Sequence, residues 1–173
     1  MISLFRLSIG AFLCATVPAT ANFLAMTDSQ KWRGVGYAQQ KPTAPKQRAQ
    51  CRLTSTPTAT GNPQNSFTII GRCSTPAGAS RLTLMAKQHS NGRLSATLTT
   101  RVNNTVHELS GEEHPDRLVF YSPDHIQLDG LAYRMELLLI WRSNGSFHLS
   151  QTLFATESDT KHTILEMEFQ AIP

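Results

Sequence analysis

Cysteine is the residue type whose spacing most directly suggests chemistry in this chain. Cys51 and Cys73 are the two cysteines that follow residue 21, and such a pair in an exported chain predicts one disulfide, with two separate thiols as the alternative. Without a Cys-x-x-Cys motif or a neighbouring histidine, the pair is a poor candidate for redox catalysis or zinc binding. Cys51 shares the inward parity of Leu53, and Cys73 that of Phe67 and Ile69. We therefore expect a mostly buried bridge between neighbouring strands.

The densest group of titratable residues is Glu112-Glu113-His114-Pro115-Asp116, with His107 and His125 nearby in sequence. A metal ion needs three or four convergent ligands at a recognisable spacing, whereas Pro115-Asp116 is typical of a solvated turn between two strands. The sequence has no Gly-x-Ser-x-Gly motif and no recognisable arrangement of serine, histidine and acid. We predict no metal, no cofactor and no catalytic residue; a hydrolase is the least favoured function.

Charge is divided unevenly along the chain. Between Ser29 and His107 there are eleven basic residues and no acidic residue, whereas from Glu108 onward there are eleven acidic residues and four basic ones. One interpretation is an anion-binding face for lipid or polysaccharide. The other, which we favour, is that the two halves neutralise each other across strands. The basic residues form no polybasic run and few aromatic residues lie among them, so we predict no binding to nucleic acid.

The first 21 residues have the layout of a secretory signal peptide. Arg6 precedes the apolar run 7–17, which is followed by Pro18 and then Ala19-Thr20-Ala21. The run is too short for a stable membrane anchor, and no later segment is long and apolar enough for a transmembrane helix.

Cys14 raises the alternative of a lipid anchor. Leu13 occupies the position where a lipoprotein signal needs a small residue, so we predict ordinary cleavage after Ala21. The predicted division is then a signal peptide at 1–21, an N-terminal arm at 22–30 and a periplasmic or secreted domain at 31–173.

Short alternating segments, divided by turn signals, make up the remainder of the chain, which is typical of an antiparallel β protein. The clearest alternation runs from Tyr133 to Trp141, and hairpin signals include Asp129-Gly130 and Asn144-Gly145. The predicted strands lie near 31–39, 48–55, 66–74, 80–88, 93–101, 105–111, 117–121, 125–142 (with Gly130 as a point of division), 146–155 and 162–171. Closure would remove exposed edges. We predict an all-β fold, a single up-and-down, calycin-like barrel of about eight to ten strands, with a two-sheet sandwich as the alternative.

The interior of this barrel is the candidate ligand site. Charged residues on the opposite face of the strands favour a soluble barrel, and its inner face carries large apolar side chains that either fill it or leave a cavity at one end. Trp32 is expected to close one end, while Gly71, Ala86 and Ala96 leave space inside. The candidate ligand contacts are Trp32, Tyr133, Met135, Leu137, Trp141 and Phe147.

The Trp32-x-Gly34-x-Gly36 opening, the Cys51-Arg52 pair and Cys73 resemble the skeleton of an uncharacterised family of small exported alphaproteobacterial proteins. That resemblance covers residues 31 to about 155 and implies a β-barrel. A fainter similarity runs to bacterial metalloprotease-inhibitor barrels, which are also periplasmic and have one disulfide. The combined expectation is an exported binding module for a small apolar or amphiphilic ligand or an anionic envelope component, with a protease-inhibitor-like, protein-binding barrel as the alternative.

Overall fold

The computed structural model describes residues 26, 28–58, 65–100, 105–158 and 160–173. The predicted signal peptide and its cut after Ala21 lie outside these residues, as do most of the predicted arm, the centre of the connection at 59–64, and Arg101.

Eleven strands form within this part of the chain, and each overlaps a segment that the alternating pattern predicted, with ends that differ by up to three residues. They are β1 (Gln30–Ala38), β2 (Gln47–Pro57), β3 (Ser66–Thr75), β4 (Gly78–Gln88), β5 (Leu94–Thr100), β6 (Thr105–His114), β7 (Arg117–Tyr121), β8 (Ile126–Leu128), β9 (Leu131–Trp141), β10 (Phe147–Ala155) and β11 (Lys161–Ile172). The segment predicted at 125–142 is divided into β8 and β9. Asp129 and Gly130 both have positive φ there, 52° and 81°, as a tight two-residue hairpin requires.

Ten of the strands close into an antiparallel barrel. Each of β1 to β6 pairs with the next strand, β7 pairs with β9, and β9 with β10; the ring closes where β11 pairs with both β10 and β1. The short β8 is an extra strand, which pairs with the start of β9 along the edge that β7 occupies further on. The predicted barrel is therefore confirmed, and the sandwich alternative is wrong because the pairing runs unbroken around one sheet.

The barrel has two ends, which the up-and-down order defines. The turns after β4, β6 and β9 lie at one end, together with the start of β1. We call it the closed end, because aromatic side chains fill it. The connections after β1, β3, β8 and β10 lie at the other end, which we call the open end. This geometry decides which inward residues meet at the same depth.

Alternation along the strands produces the core. In β2, for example, Ala49, Cys51, Leu53 and Ser55 are buried while the residues between them face outward. The largest fully buried side chains include four phenylalanines from four strands: Phe67, Phe120, Phe147 and Phe169. Burial of such rings is the main favourable term in the stability of a barrel of this size.

The disulfide joins β2 to β3. Cys51 and Cys73 are direct cross-strand partners, their sulfurs are bonded, and their Cα atoms are 4.1 Å apart. The predicted pairing is confirmed. Cys51 is 2% exposed and Cys73 is half-buried, so the bridge lies at the margin of the core rather than wholly within it.

Removing this bridge should weaken the barrel measurably. We expect the double variant Cys51→Ala/Cys73→Ala to lose about 3 kcal/mol of unfolding free energy, since the bond closes a loop across 22 positions. Urea denaturation of the double variant, with Ser74→Ala as the matched neighbour, measures the loss. Equal stability of both variants, or insensitivity of the native protein to reductant, would contradict the expectation.

Candidate functional site

An apolar cavity of about 60 Å³ lies inside the barrel. Seven strands contribute to its wall, and only two of its lining side chains carry polar groups, Thr100 and Gln151. The lining residues are Leu53, Ile69, Leu82, Leu84, Leu98, Thr100, Leu137, Leu139, Phe147, Leu149, Gln151 and Leu165. Such a surface suits an apolar ligand, because it offers burial with few hydrogen bonds.

Aromatic side chains plug the closed end. Phe147 stacks on Phe169 at 4.7 Å between ring centroids, and the rings of Trp32 and Trp141 contact Phe147 at 4.9 and 5.8 Å. Trp32 is 5% exposed and its Nε1 donates to Ser55 Oγ at 3.3 Å. The expectation that Trp32 closes one end of the barrel is confirmed.

The residues just before β1 reinforce this plug. Met26 is fully buried and belongs to the hydrophobic core, and Ser55 Oγ donates to the carbonyl oxygen of Asp28 at 3.1 Å. Because these two described residues of the predicted arm pack onto the barrel, this part of the arm is structural.

Polar groups gather where the cavity meets solvent. Leu82, Thr100, Gln151 and Leu165 are only half-buried, unlike the deeper lining residues. Gln151 Nε2 donates to Met135 Sδ at 2.7 Å. This side of the cavity therefore combines an apolar wall with side chains able to form hydrogen bonds.

His107 lies on the inward parity of β6, directly opposite the lining residue Leu98. It is half-buried, and burial lowers the pKa of its imidazole. Since the ordinary value is already about 6.5, the ring is neutral at pH 7 and can both donate and accept a hydrogen bond.

The six predicted ligand contacts divide into two groups. Leu137 and Phe147 line the cavity, whereas Trp32, Tyr133, Met135 and Trp141 do not. Trp32 and Trp141 belong to the aromatic plug. Tyr133 and Met135 are buried toward the open end of β9, where the Tyr133 ring packs edge-on against His162 at 6.2 Å.

Gln151 is one of the two polar lining residues, with Thr100, that the sequence interpretation missed. Its spacing of two residues from Leu149 and four from Phe147 indicated that its side chain faces inward. A polar residue on an apolar face, however, does not show how far along the barrel axis it lies. A register shift between Gln151 and Thr152 against β11 also makes parity a poor guide beyond this point, because a bulge changes which side chains face inward.

In the described part of the chain, two ion pairs link the basic and acidic halves. Lys41 Nζ lies 2.8 Å from Asp129 Oδ2, and Lys46 Nζ lies 3.2 Å from Glu166 Oε2. For these two lysines, neutralisation between the halves is the correct interpretation of the charge pattern.

Glu168, on the outer face of β11, has two charged or polar partners. Arg142 Nη2 and His148 Nδ1 lie 2.7 and 2.9 Å from its Oε1. The hydrogen bond from Arg142 lowers the pKa of the Glu168 carboxyl and raises that of the guanidinium. This carboxylate is therefore already partnered.

The acidic cluster at 112–116 is a turn only at Pro115-Asp116, as predicted, because Glu112, Glu113 and His114 form the end of β6 rather than a loop. Pro115 and Asp116 connect β6 to β7, and His114 Nε2 lies 3.9 Å from Glu112 Oε2 in a largely exposed pair. In the described part of the chain, no group of three or more His, Cys, Asp and Glu residues is placed to hold a metal ion. Nor do these residues include a helix long and apolar enough to cross a membrane.

The chain matches no protein-family model, and no curated protein matches it significantly. Both resemblances therefore stay predictions: the first rests on the tryptophan, glycine and cysteine skeleton, and the second on small size, a predicted periplasmic location and one disulfide.

Proposed function

We propose that this protein is an exported binding module whose barrel interior receives the apolar end of a small amphiphilic ligand. The cavity carries the proposal, since it is apolar along most of its wall and has its hydrogen-bonding side chains where the wall is half-exposed. The disulfide supports passage through an oxidising compartment such as the periplasm.

The size of the cavity limits the ligand. Its volume of about 60 Å³ is less than half of the roughly 150 Å³ apolar cavity that takes benzene in a protein core. A ligand with a short or narrow apolar group fits this interior best. A longer acyl chain would have to displace the half-buried Leu82 and Leu165.

The margin of the cavity suits a neutral or weakly charged head group. Thr100 and Gln151 supply a hydroxyl and an amide within the wall, and the imidazole of His107 lies opposite the lining residue Leu98. The lining residues include no nucleophile with a neighbouring base, so the arrangement favours binding over catalysis.

Short-chain amphiphiles should raise the melting temperature of the protein. At a propanol concentration 100 times the dissociation constant, ligand binding adds about 2.7 kcal/mol, which corresponds to a shift of about 5–10 °C for a domain of this size. Calorimetry with propanol and butyrate, which share a propyl group, measures the shift and compares the two head groups.

A matched pair of variants separates interior binding from surface effects. Leu84→Phe fills the cavity and should abolish the shift, at an overpacking cost of about 1–3 kcal/mol in stability. Met85→Phe adds the same ring at the next residue, which faces outward and is 47% exposed, so it should keep the shift. Absence of any shift in the native protein, or an equal shift in Leu84→Phe, would overturn the proposed function.

A further inference from the structure

Four arginines form a row across the outer wall of the barrel. The strand register makes Arg33 the direct partner of Arg52, Arg52 the partner of Arg72, and Arg72 the partner of Arg81. The row therefore crosses β1, β2, β3 and β4 at right angles to the strands. Adjacent strands lie about 4.8 Å apart, so the four side chains leave the wall within about 14 Å.

The four guanidinium groups have no counterion among the residues that the structure describes. All four residues are exposed, and none forms an ion pair with the acidic residues that the structure describes. On β11, which pairs with β1, Glu166 and Glu168 are already paired with Lys46 and with Arg142 and His148. Like charges placed directly opposite each other destabilise a sheet, so a bound anion would relieve this repulsion.

We propose that this arginine row binds an acidic polysaccharide, a linear chain that carries a carboxylate on successive sugars. Guanidinium groups bind carboxylates in bidentate geometry, and a linear chain can present one carboxylate after another to successive arginines of the row. Side chains flanking the arginines on the same outer face can bond sugar hydroxyls: Gln50, Thr54, Ser74 and Thr83.

The curvature of the wall favours a flexible chain over a membrane. A closed barrel of ten strands turns by about 36° from one strand to the next, so the outward directions at Arg33 and Arg81 diverge by about 108°. A flat bilayer meets only part of such a row, whereas a chain can bend along it.

The lack of stacking surfaces argues against single-stranded nucleic acid. Such ligands are bound by aromatic side chains on which bases stack. Among the described residues of β1 to β4, Tyr37 is the one exposed aromatic side chain. The row therefore complements the charge of a polyanion but offers no aromatic surface on which the bases of a nucleic acid could stack.

Fluorescence anisotropy with labelled polygalacturonate tests the proposal on the mature chain. We expect binding at about 50 mM salt that weakens at least about tenfold by about 200 mM, since each arginine–carboxylate contact releases counterions. Neutral dextran should not bind. Leu84→Phe, which fills the interior, should bind polygalacturonate normally, so failure of the interior proposal and failure of this one are distinguishable.

Two double variants with the same change in net charge give the decisive comparison. Arg52→Gln/Arg72→Gln removes the centre of the row and should lower the affinity about tenfold or more. Arg93→Gln/Arg134→Gln removes two exposed arginines elsewhere and should change it by less than about threefold. Equal losses in both variants would overturn the proposal, as would tighter binding to phosphatidylglycerol vesicles or polyuridine than to polygalacturonate.

Discussion

Replacing Phe147 with alanine should lower the free energy of unfolding by about 3–5 kcal/mol. Phe147 is 1% exposed and is the residue that the rings of Trp32, Trp141 and Phe169 all contact. Its removal deletes the centre of the plug, and the neighbouring rings are held by their own strands and collapse only partly. Urea denaturation followed by tryptophan fluorescence measures the loss.

The same variant should gain a ligand site. Because Phe147 also lines the interior cavity, its lost volume adds to the existing space, and benzene should then restore part of the lost stability. Phe154→Ala is the matched control, since Phe154 is half-buried beneath Lys161 Nζ, at 5.3 Å from its ring centroid. If the two variants lose equal stability, or if benzene stabilises both alike, the cluster is not the plug of the barrel.

Gly36→Ala should strongly destabilise the barrel. The substitution adds a Cβ atom at the β1–β11 seam, the strand pairing that closes the barrel. A Cβ at Gly36 would overlap the carbonyl oxygen of Glu166 and lie 2.8 Å from Met167 Cα. These are backbone atoms of β11, the direct partner of β1, so relief requires the two strands to separate. We expect the free energy of unfolding to fall by more than about 4 kcal/mol, because losses of this size accompany disruption of the backbone or core.

Gly71→Ala is the appropriate comparison for this variant. The added Cβ would overlap Leu53 Cδ2, a side-chain methyl group that can rotate away, and the loss should therefore be smaller. Thermal unfolding of both variants in parallel measures the difference. A loss at Gly36 no larger than at Gly71 would show that the β1–β11 seam accommodates a side chain.

Alternation and turn residues determined the strands and the inward face before any tertiary information. Tyr133 to Trp141 alternates strictly and forms β9, and Asp129-Gly130 closes the hairpin that precedes it. Cys51 and Cys73 met as expected, because the strands on either side of one hairpin connection pair locally. These features depend on contacts between neighbours in sequence, which is the range over which residue patterns act.

From the sequence, two interiors were possible, one filled by side chains and one with a cavity, and the residue pattern did not decide between them. The volume of the cavity depends on how side chains from seven strands pack at one depth, and a difference of one methyl group changes the outcome. Parity could not separate Trp32, Tyr133, Met135 and Trp141 from the residues that line this cavity, because parity indicates the face of a strand but not the depth along the barrel axis.

The sequence by itself determined the strand set, the inward face, the disulfide pair and the excess of positive charge in the first half. The tertiary structure alone decided which outward residues became neighbours. Lys41 forms an ion pair with Asp129, and the strand register aligns four arginines in one row: Arg33, Arg52, Arg72 and Arg81. Register causes this difference, since a shift of one residue in any strand pairing would turn an arginine to the other face of the sheet and break the row.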